Sequence, residues 1–136
     1  MAKFVSTDYQ INLNSVDLST SIASATLDIT KEEQLTTAFG QTSVTRIAGL
    51  QDASLTLEFH QDFGTSAVDE TLFPILGSLV PFTITPTSDA VSATNPEYGG
   101  TVLITNYTPF DSATGELATF SITVPVSGDI TRGTGA

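Results

Sequence analysis

Apolar and polar residues alternate with a period of two along most of this chain, the signature of half-buried β-strands. Tyr9, Ile11 and Leu13 form the first such run, and Asn14-Ser15 ends it with turn chemistry. A second run sets Ala23, Ala25, Leu27 and Ile29 against Ser24, Thr26 and Asp28. A third sets Ala53, Leu55, Leu57 and Phe59 against Ser54, Thr56, Glu58 and His60. Val80, Phe82 and Ile84 continue the pattern up to Pro86. Gly100 to Tyr107 is less regular, because Val102, Leu103 and Ile104 are adjacent, so burial on both faces is expected there. The last run alternates Ala118, Phe120, Ile122, Val124 and Val126 with Leu117, Thr119, Ser121 and Thr123. The turn residues from Asp111 to Gly115 predict that these last two runs pair as a hairpin. One apolar and one polar face per strand predicts antiparallel sheets wetted on one side.

One segment reads as helix, over about 66–76. Ser66 is the expected N-cap, and Asp69 and Glu70 suit the positive end of the helix dipole. Val68, Leu72, Ile75 and Leu76 recur at helical spacing, Pro74 shortens or kinks the element, and Gly77 ends it. The helix is expected to close one end or edge of the sheet.

Two stretches lack a strong pattern. In the arm from Thr30 to Gly49, only Leu35, Phe39, Val44 and Ile47 stand out as apolar among Thr, Gln, Glu and Gly. About twenty residues is long for a connection in a compact domain, where about four to six is usual. The arm reads either as a mobile surface loop or as a protruding hairpin or loop that buries its apolar residues against a neighbouring subunit. The C-terminal stretch, about 127–136, reads as a flexible polar tail that frays unless a partner holds it.

Composition narrows the function. At 136 residues the chain fits a single domain. Fifteen acids face four basic residues, Lys3, Lys31, Arg46 and Arg132, for a formal net charge of −11. Tight binding to nucleic acid draws on clustered Lys and Arg, so four scattered cations argue against it and against docking on an anionic membrane. There is no cysteine, which removes disulfides and thiolate metal sites. No apolar run approaches the ~20 residues of a membrane span, and MAKFVSTDYQ has no apolar core of a secretion signal. A cytoplasmic site of synthesis is the expectation.

Candidate catalytic groups are sparse. His60 is the only histidine, and a strand would hold Ser54 roughly 20 Å from it. Glu32-Glu33 suits a solvated loop and Asp69-Glu70 a helix start. Gly99-Gly100 reads as a two-glycine turn, since no Lys-Ser/Thr follows to make a phosphate cradle. Asn106-Tyr107-Thr108 matches a glycosylation sequon, expected by chance alone. No enzyme, metal site or cofactor is expected.

Three segments, in order and spacing, resemble the major tail proteins of long-tailed phages, with those infecting actinobacteria the nearest in pattern. They are INLNSVDLSTSIASATLDI, TTAFGQTSVTRIAGLQDASLTLEFHQDF and VDETLFPILGSLVPFTITPTSDAVSATNPEYGGTVLITNYTPF. The resemblance covers about 11–126, and its specific parts are TRIAGLQDASLTLEFHQDF and PTSDAVSATNPEY. It departs from relatives at Ala48, where a proline often follows the TRI run.

The resemblance implies a mainly β, tail-tube-type sandwich or barrel with one flanking short helix and a long protruding loop. It also implies self-association into hexameric rings that stack into a negatively charged conduit for genome ejection. Tape-measure, terminator and initiator proteins are the implied partners, and DNA passes without specific binding. The implied location is the virion tail, assembled in the host cytoplasm. Leu35, Phe39, Val44, Arg46 and Ile47 become the candidate inter-ring contacts, with Arg46 facing Glu32, Glu33 or Asp52 of the adjacent ring. Asp28 and Glu58 become the candidate lumen-facing residues, with Leu27, Ile29, Leu57 and Phe59 packing the core behind them. A β-sandwich binding module, such as a capsid-decoration or adhesin domain, is the alternative.

Overall fold

The computed structural model describes residue 5, residues 8–65 and residues 67–135. Two antiparallel sheets face each other. One has five strands in the order β2-β1-β5-β6-β8: β1 Gln10–Leu13, β2 Val16–Asp17, β5 Leu79–Thr85, β6 Glu97–Leu103 and β8 Thr131–Gly133. The other has three, in the order β3-β4-β7: β3 Ile22–Leu35, β4 Arg46–His60 and β7 Thr119–Pro125. One short helix, α1, spans Val68–Leu72. Among the described residues the fold is mainly β, as the alternation predicts, with one short α-helix.

The core lies where the alternating faces meet. Leu55, Leu57 and Phe59 of β4 and Phe120, Ile122 and Val124 of β7 point inward from one sheet. Ile11, Leu13, Val80, Phe82 and Val102 answer from the other. Each fully buried side chain of this size contributes roughly 1.5–3 kcal/mol. Phe59 stacks on Phe120 at 5.1 Å between ring centroids, and Tyr107 meets Phe120 edge-on at 5.3 Å. Val68 and Leu72 of α1 are fully buried against this core.

The helix is shorter than expected. It ends at Leu72 and continues as a 3-10 turn, Phe73–Ile75, because Pro74 has no N–H to extend the α pattern. Gly77 follows at φ +87, and its N–H reaches Ile104 O at 2.7 Å. The expected N-cap, Ser66, lies outside the described residues; Ala67 occupies the cap position. Asn14 and Ser15 both take positive φ, the geometry of a two-residue hairpin turn, and join β1 to β2.

Three expectations are corrected. The last two long runs do not pair as a hairpin. β6 pairs with β5 and β8, while β7 pairs with β4, and only the bridge Val102↔Val126 links β6 to the end of the β7 run. Each needs its apolar face on opposite sides of one core, which a common hairpin sheet would not supply. Gly99-Gly100 is no turn but the middle of β6. A Cβ on Gly99 would stand 3.2 Å from Phe82 O, and one on Gly100 would stand 3.2 Å from Phe82 Cε1 and 3.3 Å from Asp129 O. Glycine lets neighbouring chain segments close on this strand. The tail, finally, is not free over Thr131–Gly133. It pairs with Glu97–Gly99 as β8, and Ile130 packs on the core.

The loop between β5 and β6 is organised by Asn95, which is buried. Its Oδ1 accepts from Thr87 N at 3.1 Å, and its Nδ2 donates to Asp89 O at 2.9 Å and Ala90 O at 3.3 Å. Ser88 in the same loop donates from N and Oγ to Asp8, and these bonds hold the Asp8 carboxyl below the usual carboxylate range.

Candidate assembly surfaces

The first surface is the outer face of β3-β4-β7. Register pairs Thr26↔Thr56 and Asp28↔Ser54 between β3 and β4, and Thr56↔Thr123 and Glu58↔Ser121 between β4 and β7. Since side chains alternate, Ser24, Thr26 and Asp28 share this face with Ser54, Thr56 and Glu58, and with Ser121 and Thr123. The hydroxyls of Thr56 and Thr123 lie 3.2 Å apart. Asp28 and Glu58 are both exposed. Among the described residues no Lys or Arg occupies a position on this face. Lys31 pairs with Gln51 on the opposite parity, and Arg46 is opposite Leu35 beyond a register shift. Leu57 and Phe59 pack the core behind it as expected, but Leu27 is half-buried and Ile29 is 40% exposed. β3 is an edge strand, and the core does not reach past its middle.

The second surface is the arm. What reads as a patternless stretch is largely a β-ribbon, because β3 and β4 stay paired to Leu35↔Arg46. β7 covers β4 only from Ser54 to His60. From Ala53 outward the ribbon therefore has two strands, projecting about 25 Å at ~3.3 Å per residue. An irregularity between Lys31 and Glu33 sets one extra residue into β4 and bends the ribbon there. The tip is tied by Thr36 N–H to Thr45 O at 2.8 Å, and by the Thr36 and Thr45 hydroxyls at 2.7 Å. Gln41 bonds back to Ala38 through both its backbone N–H and its side chain. Gly40 takes φ +88 between them, a conformation that favours glycine. This turn holds Phe39 out at the apex, fully exposed. Leu35, Val44 and Ile47 are also exposed. The candidate contacts Leu35, Phe39, Val44, Arg46 and Ile47 thus share one projecting element. Arg46 differs from expectation in one respect, since its guanidinium meets Glu33 of the same chain at 2.8 Å.

Two features carry no sequence signal. Tyr107 donates to Asp69 Oδ1 at 2.6 Å and accepts from Gln61 Nε2 at 3.0 Å. Burial and the bond to Asp69 push its hydroxyl up to about 12. These residues are too far apart in sequence for any local pattern to link them. Phe63 and Phe110 stack at 5.7 Å while both stay exposed. His60, Asp62 and Ser54 form no reactive set: Asp62 accepts from Gly64 N–H, and His60 is exposed at the end of β4. Among the described residues no group of three His, Cys, Asp or Glu is placed to hold a metal ion. No helix among them is long and apolar enough to cross a membrane.

No family model and no curated protein matches the chain. Solved structures do. A chain in the virion of a native gene transfer agent particle is 14% identical, with a TM-score of 0.75, over 96% of this chain and 98% of that one. A chain in the tail of an empty gene transfer agent particle, refined helically with C6 symmetry, is 14% identical with a TM-score of 0.72, over 95% and 98%. The chain shares the fold of these two particle chains. A chain in the six-fold baseplate of the anti-feeding prophage shares it at 12% identity and a TM-score of 0.66, over 99% and 98%. The shared fold comprises both sheets, α1 and the projecting ribbon, since the match runs over nearly the whole chain.

Proposed function

We propose that this chain is a non-enzymatic virion protein, the major tail-tube subunit of a long-tailed phage or related particle. Copies associate into six-fold rings, and the rings stack into a hollow tube for the genome. The observation that carries this reading is the outer face of β3-β4-β7. It presents hydroxyls with Asp28 and Glu58, and among the described residues it has no cation. Such a wall repels phosphate, so DNA slides past without the Lys and Arg contacts that would hold it. Asp28 and Glu58 accordingly face the lumen.

Two further features support the reading. β3 and β7 are the edges of their sheet, and an exposed edge is a template for pairing with another chain. Joining β3 of one subunit to β7 of the next makes a continuous inner barrel. The ribbon, with Leu35, Phe39, Val44, Arg46 and Ile47, reaches the adjacent ring and buries its apolar residues there. Tape-measure, terminator and initiator proteins complete the tail, which assembles in the host cytoplasm. The fold shared with six-fold particles agrees with this, as does the resemblance to major tail proteins of phages infecting actinobacteria.

One observation favours the binding-module alternative: an open cleft of about 520 Å³ between the sheets. Negative-stain electron microscopy of the purified, concentrated protein separates the two. Rings or tubes are expected of the tail subunit, and uniform small monomers at every concentration favour the binding module.

A further inference from the structure

The cleft between the sheets has a counterpart on the opposite flank. The β5-β6 pair runs across the sandwich like a crossbar. At one end β6 bridges to the β7 run through Val102↔Val126. There the corner after α1 is pinned by Gly77 N–H to Ile104 O at 2.7 Å and Ile104 N–H to Ser78 O at 3.1 Å. This corner presents Phe73, Leu76 and Leu79, which are 67%, 45% and 58% exposed. At the other end the paired residues Ile84 and Tyr98 line the cleft, together with Leu27 and Ile29 of β3. The corner therefore lies on the β7 flank and the cleft on the β3 flank.

We propose that the Phe73–Leu79 corner of one copy seats in the Leu27–Ile29–Ile84–Tyr98 cleft of the next, as the head-to-tail contact within a ring. The inference rests on the ring reading above and specifies its lateral contact. A chain's corner cannot reach its own cleft. Leu79 and Ile84 are five residues apart on one extended strand, about 17 Å at ~3.3 Å per residue. Charge selects the same partner. From Thr71 to Ser88 no residue is charged, and Leu27, Ile29, Ile84 and Tyr98 of the cleft are uncharged, while Asp28 borders it from β3 with its side chain on the outer face. Two copies that each carry −11 meet with least repulsion through such patches.

The same placement also matches the strand edges. The corner shares its flank with the β7 edge, and the cleft shares its flank with the β3 edge. The approach that seats the corner also brings β7 to β3, so apolar contact and strand pairing are satisfied together. Because the two surfaces differ, the contact is heterologous, and it generates a closed ring where the rotation between copies closes.

The absence of native cysteine makes cross-linking a clean test. A variant carrying both Leu76→Cys and Ile29→Cys is treated with a short bis-maleimide in concentrated protein. A ladder of dimers, trimers and higher species is expected from the double variant, with no ladder from either single variant. Leu76→Asp is expected to abolish rings and tubes while leaving the circular dichroism and melting of the monomer unchanged. Rings or tubes that form without the ladder, or that survive Leu76→Asp, overturn the docking and leave the ring reading standing. A chain that shows neither ladder nor rings at any concentration overturns both.

Discussion

Arg46 and Glu33 meet diagonally across the two-stranded part of the arm, Arg46 Nε donating to Glu33 Oε1 at 2.8 Å. Both side chains are more than half exposed, and a pair of that kind is worth about 0–1 kcal/mol. The pair stiffens a ribbon that has no third strand without contributing much to overall stability. Arg46→Glu is therefore expected to leave the monomer's melting temperature almost unchanged. If Arg46 also acts on an adjacent ring, the same variant lowers tube yield and length. The swap Glu33→Arg with Arg46→Glu restores the pair within the chain. Full recovery of tubes by the swap would show that the internal pair is all that matters.

Phe39 separates folding from assembly more sharply. It is held at the apex by the Gly40 turn and touches no core, so Phe39→Ser is expected to change unfolding free energy by less than ~0.5 kcal/mol. Loss of stacking, seen as isolated rings in place of tubes by electron microscopy, is the expected effect. Tubes of normal length and yield would remove Phe39 from the inter-ring contact.

Phe59 is the opposite case. It is fully buried and stacked on Phe120, and Phe59→Ala should cost about 3–5 kcal/mol in urea denaturation. Gly100→Val should also destabilise, by about 1–3 kcal/mol, since its Cβ alone crowds Phe82 Cε1 and Asp129 O. A Gly100→Val protein as stable as the parent would contradict the close approach described for β6.

Tyr107 gives the chain an alkaline signature. Its folded pKa is pushed up to about 12 by burial and by its bond to Asp69, above the value of about 10 in an unfolded chain. The folded state thus holds the proton more tightly. The resulting stability is fully present below about pH 10 and is lost as pH rises towards 12. Urea denaturation across that window should show a steeper fall for the parent than for Tyr107→Phe. Identical slopes would remove Tyr107 as the source.

Residues with one buried face were legible in the sequence. Leu55, Leu57 and Phe59, like Phe120, Ile122 and Val124, alternate because one side of each strand meets the core. The Asn14-Ser15 turn was legible for a local reason, the two positive φ angles that its residues accept. Thr30–Leu35 and Arg46–Gly49 were not clearly legible as strands, because neither face of a protruding ribbon is buried and no period is imposed. β6 was misread at Gly99-Gly100, where glycine serves close packing and not a turn. Pairing of β7 with β4, and docking of β8 on β6, depend on contacts distant in sequence that turn chemistry does not encode. On the outer face, Asp28 and Glu58 were legible as a polar set through alternation. The Leu76 corner and the Ile84–Tyr98 cleft were not, because only the crossing of the two sheets places them on opposite flanks.

A helical reconstruction of the assembled protein shows directly which sheet lines the channel. A hollow tube of stacked six-fold rings is expected, with β3-β4-β7 as its inner wall and the Asp28 and Glu58 carboxylates facing the channel. A tube whose channel is lined by the other sheet, with both carboxylates on the outer surface, would contradict it.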